Sequence, residues 1–588
     1  MIEQINAIEN EQVDDIPLLL AVIKKMGLID IFNEQFEQHG NWEGLAVGSI
    51  IAVWLAYILS KGDHRKSYLQ DWVAEREHTL LYCLDIDEIN ELDFTDDKLS
   101  LVLNKFSDDE TWQRSECAVN KQIIRVYDLD LEIVRIDTTT ASSYGQVTED
   151  GLLQFGHSKD HRPDLGQVKI ASATLDPLGV PLVTLTVSGE QADDVLYKPV
   201  VAEARKSLDG KKGLLYVGDT KMGAFAIRSE LAQHEEYYLM PLSKVQVNAD
   251  MMANYLDGFD ASPKAKRVLE EVLVTDEKGN KSLIAKGFTV TETHSDSCQE
   301  NGKEHVYEWE ERRFIVLSPE YAKKQQAQLA GQIKKAETAV QKLVERRRGY
   351  VYPETVAELK ASVSTVLAAH SCEAYLAVTI TEETVCKQIR AYKQRPARVE
   401  RSTVFHLKTE EKTENLTKAY RLMGWRAYAT NAPEGKLSLS KAVDVYRGTY
   451  LHEHGYSRLK GNPLSLTPMY LQKEDQITGL IRLLSLALRV LTLIEFVVRK
   501  QLAEEGEPLQ GVYAGNRKRK TNTPRTETLL GVFKGITLTI IHDGEKEWVH
   551  LNPLKPTQKR ILQLLGMTDD VYTSLVPEFS KVVLKSTN

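Results

Sequence analysis

Apolar residues recur at three- and four-residue spacing through the first part of the chain, which is typical of one face of a helix. Segment 16–32 has Pro17 near a helix start and is interrupted at Gly27, and segment 99–106 repeats the pattern. Between them, residues 45–59 form the longest apolar run, which predicts a buried helix. The pattern therefore predicts an all-helical N-terminal domain over residues 1–130.

The period of the pattern changes near residue 131. Short runs rich in β-branched and aromatic residues predict strands, and helical stretches lie between some of them at 193–207 and 221–231. The predicted strands are 132–137, 167–175, 182–188, 214–219 and 236–240. Three consecutive strands followed by helix, strand, helix and strand predict a mixed α/β layer with an antiparallel edge over residues 131–244.

A second change of pattern, near residue 245, indicates an inserted domain over residues 245–418. Strands, helices and strands follow one another there, with turn signals at Gly279-Asn280 and Asn301-Gly302. The predicted elements are strands at 268–275, 283–293, 305–317 and 374–379, and an amphipathic helix at 321–348.

The α/β layer is expected to resume over residues 419–500. A strand at 425–430 precedes a helix that is capped by Ser438 or Ser440 and runs through Glu453 to Lys460, and a long apolar helix follows at 476–499. The basic, turn-rich segment 517–525 then leads into a helical tail. Residues 501–588 are therefore predicted to be a helical C-terminal region for dimerisation or DNA contact.

Composition narrows the class of protein. The chain has 588 residues, of which 42% are hydrophobic, so it can bury the cores of several domains. Its net charge of −10, from 84 acidic and 74 basic residues, argues against a nucleic-acid binder held by bulk positive charge, although local patches can still dock DNA. Five cysteines without a C-x-x-C pair argue against a disulfide framework and against a thiolate metal site.

The chain is expected to be cytoplasmic, without a membrane partner. Its first residues, MIEQINAIENEQVDD, have no basic segment followed by an apolar one and so do not resemble a secretory signal. The apolar run 45–59 is 15 residues long, whereas a membrane span needs about 18 or more.

Three acidic residues are candidates for chemistry because of the elements that carry them. Asp137 and Asp219 each close a predicted strand, and Glu453 lies on a helix after the last strand. An Asp at a strand end is more often a turn or helix-cap residue. If the two strands are neighbours, however, both carboxylates emerge at one sheet edge. Three such oxygen ligands are what hard divalent ions prefer.

Basic and aromatic side chains mark candidate DNA contacts. The loop after the first strand carries His157, Lys159, His161 and Arg162, and it is expected near the same sheet edge. Two histidines without a third ligand make a zinc site the weaker interpretation. Trp309 is a candidate for stacking a flipped base, although a lone Trp in a strand is more often part of the core.

The run 387–401 is unusually basic for an acidic protein, which predicts a phosphate track, with an exposed charged connector as the alternative. Its basic residues are Lys387, Arg390, Lys393, Arg395, Arg398 and Arg401. A second candidate track consists of Arg517, Lys518, Arg519, Lys520 and Arg525.

Four segments carry a more specific pattern: VRIDTTTASSYG, GHSKDHRPDLGQVKI, LLYVGDTKMGAF and YRGTYLHEHGYSRLK. With the stretches GDHR and DFTDDKL, they resemble bacterial insertion-sequence transposases of the DDE class, in the cut-and-paste group with a ribonuclease-H-like core. That group has the signature Y-x2-R-x3-E-x6-K around its third acidic residue. Tyr446, Glu453 and Lys460 fall on this signature. Thr449 stands at the arginine position, for which Arg447 and Arg458 are candidate replacements.

The resemblance implies an α/β ribonuclease-H-like catalytic core that is interrupted by the inserted domain. It implies that Asp137, Asp219 and Glu453 are catalytic and bind two Mg²⁺ or Mn²⁺ ions, which would activate a nucleophile and stabilise the leaving oxygen. Tyr446, Arg447 and Lys460 are then DNA contacts, and the helical domain over residues 1–130 is a DNA-binding domain. The implied partners are the terminal inverted repeats of an insertion sequence, target DNA and a second copy of the chain in a synaptic homodimer. The implied location is the bacterial cytoplasm, at the nucleoid when the enzyme acts.

Two other functions stay open at this stage. One is a metal-dependent nuclease that cuts DNA without joining ends. The other is a non-catalytic DNA-binding regulator derived from a transposase, although a purely binding protein has no chemical need for three carboxylates.

Overall fold

The computed structural model of the protein describes residues 5–36, 42–263, 267–275, 279–300, 303–345, 352–391, 396–543 and 546–577. The chain divides into two compact units. Unit 1 comprises Met1–Met240, Ser295–Tyr307 and Val445–Asn588. Unit 2 comprises Pro241–His294 and Glu308–Asp444.

The N-terminal part of unit 1 begins with a strand and continues as helices. The elements are β1 (Ile5–Gln12), α1 (Ile16–Lys25), α2 (Leu28–Gln35), α3 (Val47–Lys61), α4 (Leu69–Ala74), α5 (Glu77–Leu84), α6 (Asp96–Ser107) and α7 (Asp109–Tyr127). Thr95 caps α6 and Asp108 caps α7 by accepting backbone N–H bonds, as short polar side chains do at helix starts. The apolar run inside α3 is buried, as its sequence predicts.

A mixed α/β layer follows in unit 1, as predicted. Its elements are β2 (Ile133–Ser143), β3 (Gly166–Leu175), β4 (Val180–Ser188), α8 (Tyr197–Ser207), β5 (Leu215–Val217), α9 (Phe225–Gln233) and β6 (Tyr237–Pro241). The strand order is β4-β3-β2-β5-β6. The pairs β2–β3 and β3–β4 are antiparallel, whereas β2–β5 and β5–β6 are parallel.

Unit 2 contains strands, helices and a long hairpin. Its elements are α10 (Ala249–Ala261), β7 (Glu270–Thr275), β8 (Lys281–Glu300), β9 (Lys303–Leu317), α11 (Pro319–Lys342), α12 (Val356–Ala369), β10 (Leu376–Ile389), β11 (Arg398–Glu411), α13 (Thr413–Leu422), β12 (Trp425–Thr430) and α14 (Leu439–Arg447). The ends of β8 and β9 and the last turn of α14 belong to unit 1.

The inserted unit extends further than residue 418, where the sequence pattern ended it. β12 pairs antiparallel with β9, from Trp425 opposite Leu317 to Thr430 opposite Arg312, and these paired residues all lie in unit 2. Unit 1 resumes at Val445.

The C-terminal part of unit 1 contains helices and a β-hairpin. Its elements are α15 (Tyr450–Lys460), α16 (Glu474–Glu505), β13 (Leu509–Gln510), β14 (Lys520–Thr521), α17 (Thr526–Gly531), β15 (Thr537–Asp543), β16 (Lys546–Leu551), α18 (Pro556–Leu564) and α19 (Asp570–Thr573). Over the described part of the chain, no helix combines the length and the apolar character that crossing a membrane requires.

The two ends of the chain correct the prediction of an all-helical N-terminal domain and a helical tail. β1 pairs with β15, which in turn pairs with β16, so a three-stranded sheet joins the two termini. β15 has the alternation of a half-buried strand, since Leu538 and Ile540 are buried. The sequence of β1 is polar and does not predict a strand. β1 becomes a strand by pairing with a segment that is more than 500 residues away along the chain.

Candidate functional site

Asp137 and Asp219 occupy equivalent positions on neighbouring strands. β2 and β5 pair in parallel, with Arg135 opposite Val217. Each aspartate lies two residues beyond this last pair. Parallel strands are about 4.8 Å apart, so matched positions bring the two carboxylates into mutual electrostatic reach. The condition on which the sequence argument depended, that the two strands are neighbours, therefore holds in the structure.

Asp137 does not close its strand, contrary to the prediction from the sequence pattern. β2 continues to Ser143 through its antiparallel pairing with β3, in which Asp137 is opposite Ser172. The parallel pairing with β5 stops at Arg135, two residues before Asp137. Asp137 therefore lies where the sheet changes from parallel to antiparallel pairing along β2, and a carboxylate there is accessible on the side where β5 has ended.

The surroundings of Asp137 disfavour its ionised form. Burial raises the pKa of Asp137 to about 6, against the attraction of Lys159, and the nearby Asp219 and Asp193 contribute to the rise. Nζ of Lys159 lies 4.0 Å from Oδ1 of Asp137. The same ammonium donates to the carbonyl oxygen of Thr138 over 2.5 Å. A cation thus already sits beside the aspartate pair.

Asp219 is held by one of its two oxygens. Oδ1 accepts the hydroxyl of Tyr197 at 2.6 Å and the backbone N–H groups of Lys221 and Met222 at 2.9 and 3.1 Å. In the described ranges, no hydrogen bond reaches Oδ2 of Asp219. This arrangement fixes the carboxylate and leaves its second oxygen for a ligand.

Helix α15 runs along β2 with matching spacing. His452 contacts Thr174, which is opposite Arg135, and the Tyr456 hydroxyl donates to the carbonyl oxygen of Asp137 over 2.8 Å. One helical turn later, Nζ of Lys460 donates to Oγ1 of Thr139 over 3.0 Å. Eight helical residues rise about 12 Å and four strand residues about 13 Å, so helix and strand stay in step.

This alignment sets the level and direction of Glu453. The residue lies three positions before Tyr456, so its level along β2 is between Arg135 and Asp137. Successive helical positions turn by about 100° around the helix axis, so Glu453 is rotated slightly further from His452 than Lys460 is. Because His452 faces β3 and Lys460 faces β2, the side chain of Glu453 points away from β3. Glu453 is exposed there. Since the strand order is β3-β2-β5, this is the side on which Asp219 lies.

The predicted single helix from Ser438 or Ser440 to Lys460 is instead two helices. α14 ends at Arg447 and α15 starts at Tyr450, with Gly448 between them. A Cβ added at Gly448 would lie 2.6 Å from Nη2 of Arg135, so only glycine allows this close approach. Arg135 is buried and makes a two-bond ion pair with Asp176, so the guanidinium beside Gly448 is held in place.

The structure assembles an aspartate pair and not a three-carboxylate cluster. Across the residues described, no group of three or more His, Cys, Asp or Glu side chains is arranged to hold a metal ion. Asp137 and Asp219 nevertheless fit a hard cation, since both offer oxygen ligands and Asp137 has a raised pKa that a positive charge would reverse. Glu453 is exposed on the adjoining helix, so completing the set requires its side chain to turn inward.

Asp193 and three lysines border the aspartate pair, although no pattern in the sequence marks Asp193. Nζ atoms of Lys169, Lys221 and Lys159 lie 2.8, 2.7 and 3.9 Å from its carboxylate. Although burial opposes ionisation, the hydrogen bonds from Lys169 and Lys221 hold the pKa of Asp193 well below its usual range. Asp193 therefore anchors a positive border beside the site, which suits an anionic substrate.

The predicted DNA-contact loop turns partly inward. Lys159 faces Asp137, and Asp160 accepts Nζ of Lys460 at 2.6 Å. His161 is exposed, and Arg162 pairs with Asp164. Lys460 thus contacts this loop as well as β2, so it ties the loop to α15.

The signature positions on α14 and α15 divide into exposed and buried ones. Tyr446 is half-buried and Arg447 is exposed. Arg458 is buried and forms ion pairs with Glu495 and Glu527. Arg458 is therefore wrong as a replacement for the missing arginine, because its guanidinium is directed at α16 and α17. Arg447 remains the exposed candidate.

The described residues of the basic run, 387–391 and 396–401, lie on or next to β10 and β11. These two strands pair antiparallel from Leu376 opposite Glu411 to Ile389 opposite Arg398, and we call the pair the hairpin β10–β11. The base of the hairpin packs against α11 and α12 through a cluster that includes Phe405 and Leu359. Towards the tip, the side chains of β10 and β11 are largely exposed. The exposed basic residues are Lys387, Arg390, Arg398 and Arg401. Lys393 and Arg395 lie outside the described residues.

Trp309 is neither fully buried nor fully exposed, and its ring lies 5.6 Å from that of His294. The second basic segment is exposed next to β14, with Arg519 stacked over Tyr513 at 4.2 Å. Base flipping by Trp309 and DNA contact by this segment stay predictions.

The raised pKa of Asp137 gives a testable pH dependence. The native state binds a proton more tightly than the unfolded chain, so metal-free stability should fall as pH rises from about 4 towards 6. The substitution Asp137→Asn removes the ionisable group, so the stability of the variant should not fall with pH in this way. In EDTA, urea unfolding should find the variant about 1–2 kcal/mol more stable than wild type at pH 7.5, with a smaller difference at pH 5.

Mn²⁺ provides the control, since it should stabilise wild type at pH 7.5 and leave Asp137→Asn unchanged. A variant that is less stable than wild type at pH 7.5 would mean that the attraction between Lys159 and Asp137 outweighs the cost of burial.

Comparison with known proteins gives a distant likeness among solved structures. No protein-family model matches the chain, and no curated protein matches it. Among solved structures, the chain is similar to the piggyBac transposase in a cryo-EM structure of its synaptic complex with hairpin DNA, at 13% identity and a TM-score of 0.23. The match covers 50% of this chain and 60% of that one. At this level, the likeness carries no argument about the site.

Proposed function

We propose that the protein is a metal-dependent DNA transposase, which cleaves and joins the ends of an insertion sequence. The observation that carries the proposal is the convergence of two aspartates and a helix on one strand. Asp137 on β2 and Asp219, just after β5, each lie two residues beyond the last β2–β5 pair, and α15 lies along β2 through Tyr456 and Lys460. Five strands with an antiparallel and a parallel half support the ribonuclease-H-like core that the sequence resemblance implies.

The side chains of Asp137, Asp219 and Glu453 would hold two Mg²⁺ or Mn²⁺ ions. Bound divalent ions supply Lewis-acid activation of a water or hydroxyl nucleophile and stabilisation of the leaving oxygen of a phosphodiester. Tyr197 keeps Asp219 oriented through its 2.6 Å hydrogen bond. Tyr456 fixes the backbone at Asp137, and Lys159 offers its ammonium to a phosphate once it leaves the aspartates.

Duplex DNA is the proposed substrate, in the form of terminal inverted repeats and target DNA. The hairpin β10–β11 supports this proposal, because the major groove of B-DNA admits a two-stranded ribbon and cationic side chains bind phosphates. A synaptic homodimer follows from the chemistry, since joining requires two ends held together.

Removing charge from the hairpin should weaken DNA binding. The triple variant Lys387→Gln, Arg398→Gln, Arg401→Gln is expected to bind a 30-base-pair duplex about 10-fold more weakly at 100 mM salt. The slope of log K against log salt should fall by about 0.9 for each phosphate that the variant no longer neutralises. Fluorescence anisotropy at several salt concentrations measures both quantities.

A matched control removes the same charge from α11 of the same unit. Lys334, Lys335 and Lys342 are exposed there, and their triple glutamine variant should bind as wild type does. Equal losses in the two triple variants would show that net charge matters and that the hairpin has no special part in binding.

A plasmid that carries the coding sequence with its native flanking DNA separates the candidate functions. Excision with integration supports the transposase, and cutting without joining supports the nuclease. Binding without Mg²⁺-dependent cutting supports the regulator. The regulator should be tested directly because Lys159 lies beside Asp137. If the Lys159 ammonium always stayed there, it would keep metal ions away from the aspartate pair.

A further inference from the structure

Two exposed tyrosines stack on one another where the strand of Asp137 ends. Tyr144 follows β2 directly, and Tyr470 lies between α15 and α16. Their ring centroids are 5.2 Å apart with planes 15° from parallel, and the residues are 47% and 71% exposed. Such a stacked pair presents a flat aromatic face to solvent, on which a further planar group can stack.

Backbone hydrogen bonds hold this pair in place. The N–H of Tyr144 donates to the carbonyl of Met469 over 2.9 Å, and the N–H of Met469 donates to the carbonyl of Ser142 over 3.1 Å. The end of β2 is thereby fastened to the segment that follows α15. The position of the tyrosines is therefore set by the same two elements that carry Asp137 and Glu453.

Cationic side chains lie on both sides of the stacked pair, and each of them also makes an ion pair: Arg162 with Asp164, Arg65 with Asp63, and Lys66 with Asp96. The guanidinium of Arg162 lies 5.9 Å from the ring centroid of Tyr144. Tyr470 borders a cavity of about 320 Å³, and Arg65 and Lys66 line the same cavity. A flat aromatic face between cationic side chains is the combination with which proteins bind unpaired bases together with their phosphates.

The cavity itself is suited to a planar, partly apolar group. Trp54, Leu103 and Leu480 line it on the apolar side. The indole of Trp54 is fully buried, and its Nε1 has no hydrogen-bond partner among the described residues.

Two sequence stretches that have no part in the proposed catalytic site contribute residues to the lining of this cavity. GDHR contributes His64 and Arg65, and DFTDDKL contributes Asp96. Nδ1 of His64 lies 3.0 Å from the carbonyl oxygen of Leu464, so GDHR is joined to the segment after α15. Lys66 pairs with Asp96 at 3.0 Å, which joins the two stretches.

We propose that the Tyr144–Tyr470 stack and the adjoining cavity form a subsite for an unpaired nucleobase of the DNA substrate. The inference rests on the proposed function and extends it, because it assigns a binding site outside the carboxylates. Tyr144 is seven residues beyond Asp137, which is about 23 Å along an extended strand.

The test uses the full-length protein and DNA with 2-aminopurine as a single unpaired base. Fluorescence quenching reports stacking, and anisotropy reports affinity. Wild type and Tyr470→Trp should quench the probe, whereas Tyr470→Ala should lose the quenching and about 10-fold in affinity for this DNA. Affinity for the fully paired duplex should not change in any of these proteins.

Tyr82→Ala is the matched control, because Tyr82 is another tyrosine of unit 1 that is 44% exposed. It should behave as wild type does. Equal quenching by wild type and Tyr470→Ala, or an equal loss on paired and unpaired DNA, would overturn the subsite. The stabilisation of wild type by Mn²⁺ is measured in parallel. If Mn²⁺ does not stabilise the protein while the probe is still quenched, the proposed metal site is contradicted and the base subsite is supported.

Discussion

Replacing Asp137 or Asp219 with alanine should reduce Mg²⁺-dependent strand cleavage by about 10³-fold or more, the scale of losing a main electrostatic stabiliser of a transition state. The two residues are expected to act together, because they occupy matched positions beside the last pair of β2 and β5. The double variant should therefore be little worse than either single one.

The measurement is nicking of a supercoiled plasmid that carries the coding sequence and its native flanking DNA. Duplex binding should change little, since the hairpin and the basic loop are intact. Glu203→Ala is a suitable control, because it removes a carboxylate of α8 that pairs with Lys206 and has no place in the proposed site. A variant of Asp137 or Asp219 that cuts at the wild-type rate would remove that residue from the proposed site.

Glu453 is tested by the same assay with a different comparison. Its side chain is exposed and lies one helical turn before Tyr456, so it must turn towards the aspartates to act. Glu453→Ala and Glu453→Gln should both lose cleavage, because each removes the charge, while helix α15 stays anchored by Tyr456 and Lys460. Normal cutting by both variants would show that Glu453 is not the third metal ligand. Asp193 would then be the next candidate for that role.

Much of the α/β layer could be predicted from sequence because its strands are short, apolar and locally patterned. The runs around Ile136, Ile170 and Leu185 are rich in β-branched residues, and the buried strands β2, β3 and β4 contain them. Period alone cannot give the length of β2, because residues 138–143 are mostly Thr and Ser. These small polar residues are buried by pairing with β3, which is a tertiary effect.

Long-range pairing explains the elements that were mispredicted. β1 is polar and becomes a strand through β15, and β11 contains the charged residues Arg398, Glu400 and Arg401 and becomes a strand through β10. Such strands have weak local signals, since their partners supply the hydrogen bonds. Between α14 and α15, Gly448 approaches Arg135, which is more than 300 residues away along the chain, and no local pattern marks this contact.

The candidate site could be predicted only in part for the same reason. Carboxylates could be chosen by residue type and position, whereas the residues that hold them depend on packing. Tyr456 could have been predicted as a residue of the site, because it lies three residues after Glu453 on the same helix. Tyr197 and Asp193 precede or begin a helix of ordinary composition, and no local signal distinguishes them. Lys159 was expected to contact DNA, yet it faces Asp137.

Glu116→Leu should destabilise the protein by about 3–5 kcal/mol, because it leaves a buried charge without its partner. Arg489 is fully buried, and its Nη2 lies 2.5 Å from Oε1 of Glu116. Its Nε also donates to the carbonyl of Pro181 over 2.9 Å, so one guanidinium links α7, the start of β4 and α16. Urea unfolding monitored by circular dichroism measures the loss.

The double variant Glu116→Leu, Arg489→Met decides whether the effect comes from the unpaired charge. Apolar side chains of similar volume often replace a buried ion pair at little cost, so the double variant should regain most of the stability. If it is instead as unstable as the sum of the two single variants, the hydrogen bonds from Arg489 to the backbone of β4 hold the helices to the sheet. The ion pair would then be secondary, and the N-terminal helices would depend on α16 through backbone contacts.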